Sequence, residues 1–303
     1  MTIQTVTDSP NLVDVSPAGP SPINTGEDAA TVKPARRRRR LPQLGLVLAW
    51  AVILLVVLWA LVPGIFTGHD PISGVAAEKL QAPSLAHIFG TDALGRDLFA
   101  RVVFGAGNSL SGAFVAVTVG LIVGTATGLL AGSVGGLVDD ILMRVIDVLL
   151  SIPALLLALT IIILLGFGTI NAAIAVGVGS IAAFARLSRS EVVRVRRADY
   201  VEAAFGSGAR FGAVLLRHVL PNSLSPVIAL AALQFGVAIL AISTLGFLGY
   251  GAPPPTPEWG LLIAEGRNYV ATSWWLTTIP GAIVVIVVLS ANRISQSIGG
   301  ERS

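Results

Sequence analysis

The sequence predicts an all-α membrane protein with six transmembrane helices and both its N- and C-termini in the cytoplasm. Three observations carry the prediction. Of the 303 residues, 54% are hydrophobic and only 12% charged, about half the charged fraction of a soluble globular chain. Charge is absent altogether from residues 102–138, 148–185 and 219–257, and each stretch exceeds the roughly 20 apolar residues that cross a bilayer. With six spans and the N-terminus inside, only Lys79, Arg96, Arg101 and Arg267 of the 20 Lys and Arg residues face outward, the bias expected of cytoplasmic loops. An odd number of spans would move Arg293 and Arg302 outside and weaken it. A soluble domain, a disordered chain and a single-anchor protein are excluded.

Residues 1–40 form the first segment, rich in Pro, Ser, Thr, Asp and Asn and ending in Arg36–Arg40. Their composition predicts a disordered basic cytoplasmic tail, without the cleavage pattern of a secretory signal. Placed just before an apolar run, the arginines read as a topology determinant beside anionic lipid, not as a nucleic-acid patch. Residues 41–108 then hold the first transmembrane helix, about 44–62 and closed by Pro63-Gly64, and an external segment. Within that segment Thr91-Asp92 offers an N-cap, and Leu94, Leu98, Phe99, Val102 and Val103 follow at helical spacing. A short amphipathic helix at the interface is expected there. On it Asp92–Arg96 and Asp97–Arg101 would be i, i+4 pairs, whose ordinary role is to solvate a helix face.

Residues 109–298 supply the five-helix core, and 299–303 a short tail. Span two covers about 109–131, where Gly120, Gly124 and Gly128 at four-residue spacing predict a packing stripe. Asp139, Asp140, Arg144 and Asp147 follow near a membrane boundary and are expected to pair with one another. Span three covers about 145–165 and is kinked by Pro153. A tight turn at Gly166–Asn171 leads to span four, which ends near Phe184. Span five covers about 222–245, with Pro221 at its start and the Pro253–Pro257 cluster barring its extension. Span six covers about 276–289. Trp259, Trp274 and Trp275 are expected to mark the outer interface.

Several chemistries are excluded by what is missing. The chain has no cysteine, so no disulfide, thiolate nucleophile or Cys-ligated metal is available. His69, His87 and His218 are scattered without ligand spacing. No Gly-x-x-x-x-Gly-Lys-Ser/Thr loop occurs, so the chain does not itself supply an ATPase. No span carries a clustered His, Asp and Ser set, which argues against a membrane enzyme. No inverted pair of broken, charged spans suggests a self-sufficient secondary transporter or channel.

The loop 186–221 between spans four and five remains. Its arginines, Arg186, Arg189, Arg194, Arg196, Arg197, Arg210 and Arg217, face only Glu191, Asp199 and Glu202. Helix-forming residues flank Gly206, Ser207 and Gly208, which predicts a helix, a glycine-containing bend and a second helix. A lipid-facing amphipathic segment and a projecting docking element both fit that pattern.

Here Glu202-Ala203-Ala204, Gly208 and Leu220-Pro221 resemble the EAA loop of ABC-transporter permease subunits. Arg217-His218 before Val219-Leu220-Pro221 fits the dipeptide and oligopeptide branch. Similar likeness to its C-type permeases runs through His87–Asp97 with Arg101 and Gly105, Asp139–Arg144, Asp147, Ser151–Pro153, Phe247–Gly251, Pro255–Gly260 and Glu265-Gly266. It covers about 41–298 and leaves the N-terminal tail outside. The resemblance implies a type I ABC importer permease fold in a bacterial inner membrane. It implies a non-catalytic subunit, with ATP and Mg on two partner ATPases and no cofactor on this chain. A homologous permease in a heterodimer, an extracytoplasmic binding protein and membrane lipid are the other implied partners. Tyr200, Glu202, Ala203, Ala204, Gly208, Leu220 and Pro221 are the implied ATPase-coupling residues. Asp92, Arg96, Asp97 and Arg101 are candidates for contact with the binding protein. Peptides are the implied solute, with nickel or another non-peptide solute of the same branch as the alternative.

Overall fold

The computed structural model describes residues 44–300, with side chains through Ser297, so the tail expected at 1–40 lies outside the described residues. Apart from one bridge between Thr91 and Asp97, regular structure among the described residues is helical. In chain order the helices are α1 (Leu44–Leu61), α2 (Leu98–Val134), α3 (Gly136–Ser151), α4 (Ala154–Leu165) and α5 (Thr169–Arg196). Then come α6 (Asp199–Gly206), α7 (Phe211–Val214), α8 (Leu220–Phe247), α9 (Trp259–Gly266) and α10 (Trp275–Gly300).

Five helical runs are long and apolar enough to cross a membrane: α1, α2, α5, the run Phe211–Phe247, and α10. A sixth crossing exists only if α3 and α4 count as one, and these are bent by 94°. The break falls at Pro153, as expected for the span at 145–165, but it is far sharper than a kink. Ile152 precedes Pro153 and is extended, at φ −89° and ψ 127°, because a proline disfavours the helical conformation of the residue before it. The 12 residues of α4 extend about 18 Å, well short of a roughly 30 Å hydrocarbon core.

The second helix also differs from expectation. No separate interfacial helix starts at Asp92; the chain enters α2 at Leu98 and stays helical for 37 residues, about 55 Å. Asp97 is its N-cap, its Oδ1 accepting from the Ala100 N–H at 2.7 Å. Both polar segments therefore hang from the two ends of one rod.

That rod is the centre of the packing, and α5 lies along it most extensively. The glycine stripe is the reason. A Cβ at Gly124 would sit 2.6 Å from the Ile181 carbonyl oxygen, and one at Gly120 would overlap the Ser180 hydroxyl. Gly128 abuts Ala185, and a Cβ at Gly177 of α5 would lie 2.8 Å from the Ala116 carbonyl oxygen. Small residues let the two backbones meet. Around the N-terminal half of α2, Trp59, Val103, Ile242, Trp259, Leu262 and Leu276 close the apolar core.

The tryptophans do not all mark an interface. Trp259 is fully buried, donating from Nε1 to the Val102 carbonyl at 3.0 Å, and Trp275 donates to the Thr91 carbonyl at 3.3 Å. Trp274 is exposed. An indole N–H that finds a backbone acceptor is free to join a core.

Candidate functional site

At the N-terminal end of α2 the polar residues fold into a buried ionic network. Asp92 closes a turn on itself: its Oδ1 accepts from the Leu94 and Arg96 N–H groups at 2.8 and 3.0 Å, and its Oδ2 from Arg96 Nε at 2.6 Å. The Asp92–Arg96 pair thus forms, though across a turn and not along a helix. The Asp97–Arg101 pair does not form. As N-cap, Asp97 turns its carboxylate back toward the helix start, where Oδ2 lies 2.8 Å from His87 Nδ1. Arg101 reaches instead to α9, and Glu265 Oε2 accepts from Arg101 Nη2 at 2.9 Å and from Arg96 Nη2 at 3.2 Å. Asp92, Arg96, Asp97 and Arg101 are all buried, so they do not solvate a helix face. Glu265 is the partner that spacing could not reveal, since 164 residues separate it from Arg101.

A second carboxylate anchors the same region. Glu258 caps α9, accepting from the Gly260 and Leu261 N–H groups at 2.9 and 3.0 Å and from the Ser109 hydroxyl at 3.4 Å. It is fully buried. Burial pushes its carboxyl above the usual range, against the two backbone N–H groups and Ser109, which pull it down.

At the other end of α2, arginines of α5 find partners across the bundle. Arg196 Nη1 donates to the Gly132 and Ser133 carbonyls at 3.1 and 2.5 Å, placing a cation on C-terminal carbonyls that have no partner within the helix. Asp139 takes two bonds from Arg189, and Asp147 one from Arg186 at 2.6 Å. Asp139 and Asp147 of α3 therefore pair with α5 and not with Arg144.

Beyond Arg196 the chain turns into α6. Val201 is fully buried among Val192, Val195, Val214 and Val219, while Tyr200, Glu202 and Ala203 are exposed and Ala204 is half-buried. The helix ends in a Schellman arrangement: the Ala209 N–H donates to the Ala204 carbonyl at 3.2 Å and the Gly208 N–H to the Phe205 carbonyl at 2.9 Å. Gly208 has φ +86°, the left-handed conformation such an ending requires and glycine supplies without strain. Helix, glycine bend and second helix thus appear as the sequence predicts. The second helix does not start at Pro221, however. It runs from Phe211 through a π turn at Leu215–Val219 into α8, with Leu220 and Pro221 in the first turn of α8. A widened turn there accommodates a residue that lacks a backbone N–H.

Between these ends lies an apolar cavity of about 420 Å³, bounded by α2, α4, α5 and α8. Ala116, Ala158, Val176 and Leu245 form its floor, and Leu155, Val237 and Leu240, all exposed, stand at its mouth. Its polar side chains are Ser180, Gln234 and Thr244, none of them a predicted site residue. Among the described residues no group of acids and histidines could hold a metal.

Comparison with known proteins agrees with this architecture. Residues 124–299 match the family described as binding-protein-dependent transport system inner membrane component. The dipeptide transport system permease protein DppC of Alkalihalophilus pseudofirmus is 38% identical over 262 residues, which are 86% of this chain and 85% of that protein. The glutathione transport system permease protein GsiD of Pectobacterium atrosepticum is 36% identical over 262 residues, 86% of this chain and 87% of that protein. Among solved structures, the MetNI methionine ABC transporter in an inward-facing conformation superposes with a TM-score of 0.53 at 19% identity, over 65% of this chain and 96% of that chain. The chain belongs to the binding-protein-dependent transport system inner membrane components, and is a multi-pass permease subunit of an ABC importer.

Proposed function

We propose that the chain forms half of a translocation path for dipeptides and oligopeptides, with a homologous permease supplying the other half. Two ATPase subunits hold ATP and Mg and do the hydrolysis; an extracytoplasmic binding protein delivers the solute. The α6 end of the bundle faces the cytoplasm, as do both termini. The observation that carries the coupling role is the exposed face of α6. Tyr200, Phe205 and Phe211 are exposed beside Glu202, and the two phenylalanine rings stack at 6.4 Å. Such an apolar patch on a short helix suits a docking surface, and Val201 ties the helix rigidly to the end of α5. Leu220 and Pro221 would pass its movement into α8. The buried network of Asp92, Arg96, Asp97 and Arg101 would act on a binding protein by shaping the outer loops from beneath. The peptide reading rests on relatives named for dipeptide and glutathione transport.

The test is uptake by the complete importer in vesicles, with binding protein and ATP supplied on the proper sides. Accumulation of a labelled dipeptide is expected. Accumulation of nickel and not of any peptide would overturn the peptide reading while leaving the permease assignment intact.

A further inference from the structure

We propose that Gln234 is a solute-orienting residue of the translocation path, and that it selects for solutes bearing amide groups. This rests on the peptide-import reading and adds to it a site on this chain. Gln234 lies at the midpoint of α8, whose 28 residues run from Leu220 to Phe247. Between Val227 and Ile242 it is the only polar side chain. It lines the 420 Å³ cavity, a volume inside the roughly 300–1,000 Å³ range of small-molecule sites.

The other two polar groups of the cavity are already engaged. Ser180 donates to the Gly177 carbonyl and Thr244 to the Leu240 carbonyl, each at 2.8 Å. The Gln234 carboxamide has no hydrogen-bond partner among the described residues. Gln234 is half-buried and its carboxamide is open to the cavity, so its chemistry says what it would take there. A carboxamide presents one acceptor and two donors; because the N–H and C=O of a trans peptide point in opposite directions, it accepts from the peptide N–H or donates to the peptide carbonyl, one hydrogen bond at a time. Being neutral and alone, it gives a contact strong enough to orient a passing solute and weak enough to release it, as conduction requires.

The experiment compares wild type, Gln234→Asn and Gln234→Leu as complete importers in vesicles. The labelled probes are alanyl-alanine and its ester analogue, which lacks the peptide N–H. Loss of one such hydrogen bond predicts a kcat/KM for alanyl-alanine uptake about 3- to 10-fold lower in Gln234→Leu. The wild-type preference for amide over ester should shrink by the same factor, and Gln234→Asn should keep part of it. The binding protein is the same throughout, so a change in that ratio belongs to this residue. Equal uptake and an unchanged ratio in Gln234→Leu would overturn the inference and point to a lipid-facing glutamine. Loss of the sister permease on copurification of Gln234→Leu would also overturn it, making Gln234 an assembly contact. Absence of dipeptide uptake by wild type overturns the peptide reading itself, a different result from an unaffected variant.

Discussion

Arg101 shows how a single residue fixes the arrangement of helices around it. Its guanidinium is fully buried at the start of α2, and Glu265 on α9 is its nearest carboxylate at 2.9 Å, with Asp92 at 3.7 Å. Removing one partner of a buried pair leaves an uncompensated charge, which typically costs about 3–5 kcal/mol. Glu265→Ala should therefore lose about 3 kcal/mol, the lower part of that range, because Asp92 stays in reach. Thermal unfolding of the purified importer checks this, and a wild-type midpoint would show the pair to be idle. Glu258 has a pH consequence. Its folded-state value is raised above the ordinary 4.5, so its contribution is full below 4.5 and is lost as pH rises through the folded value. Glu258→Gln cannot ionise and should flatten the fall in unfolding midpoint on going from acid to neutral pH. An unchanged slope would remove Glu258 as its source.

At the scale of elements, the packing face of α2 was readable from spacing alone, because small residues repeat with the helix and their function is local to one face; that α5 is what packs there was not. Gly124→Leu should show its importance. A side chain there meets the Ile181 carbonyl at 2.6 Å, backbone that has no rotamer to yield. Overpacking of this kind costs about 1–3 kcal/mol or more, and the membrane level of folded protein should drop severalfold on fluorescence-detected chromatography. The bend after α6 was readable for the same reason, glycine being the residue that turns left-handed. Gly208→Trp tests it apart from packing, since nothing lies within 4 Å of a Cβ at Gly208. The positive φ alone should cost about 1–2 kcal/mol and tilt α6. In reconstituted vesicles solute-stimulated ATP hydrolysis and uptake should fall together, with the spans intact and the ATPases retained less firmly. Full uptake with both ATPases bound would return α6 to the lipid-facing reading. Of the ionic network only the Asp92–Arg96 pair was legible: the bonds to Glu265 join residues 164 and 169 positions apart, and an N-cap reassigns Asp97 to His87. Gln234 escaped notice because one amide in an apolar run has no periodicity; only the cavity around it gives it meaning.

For the whole molecule, the two ends of α2 give a frame for topology that does not depend on whether α3 and α4 together cross the bilayer. Thr272 belongs to the N-terminal end of α2, because Trp275 three residues later donates to the Thr91 carbonyl. Ser207 belongs to the C-terminal end, because Arg196 caps Gly132 and Ser133 and Val201 packs back on Val192 and Val195. The rod between them is about 55 Å long for its 37 residues, more than the roughly 30 Å hydrocarbon core. The first and last helices share an end as well, for a Cβ at Gly45 would lie 3.9 Å from Arg293 Nε. The arginines of α5 and the following loop gather at the Ser207 end, and positive residues are retained on the cytoplasmic side. The native chain has no cysteine, so Thr272→Cys and Ser207→Cys, both at exposed positions, are single-site reporters without further engineering. In intact cells an impermeant maleimide should label Thr272→Cys and spare Ser207→Cys until the membrane is opened. The reverse pattern would invert the topology and place α6 out of reach of any cytoplasmic ATPase. Labelling of both from outside would mean that α2 does not cross at all, and the six-span arrangement would fall with it.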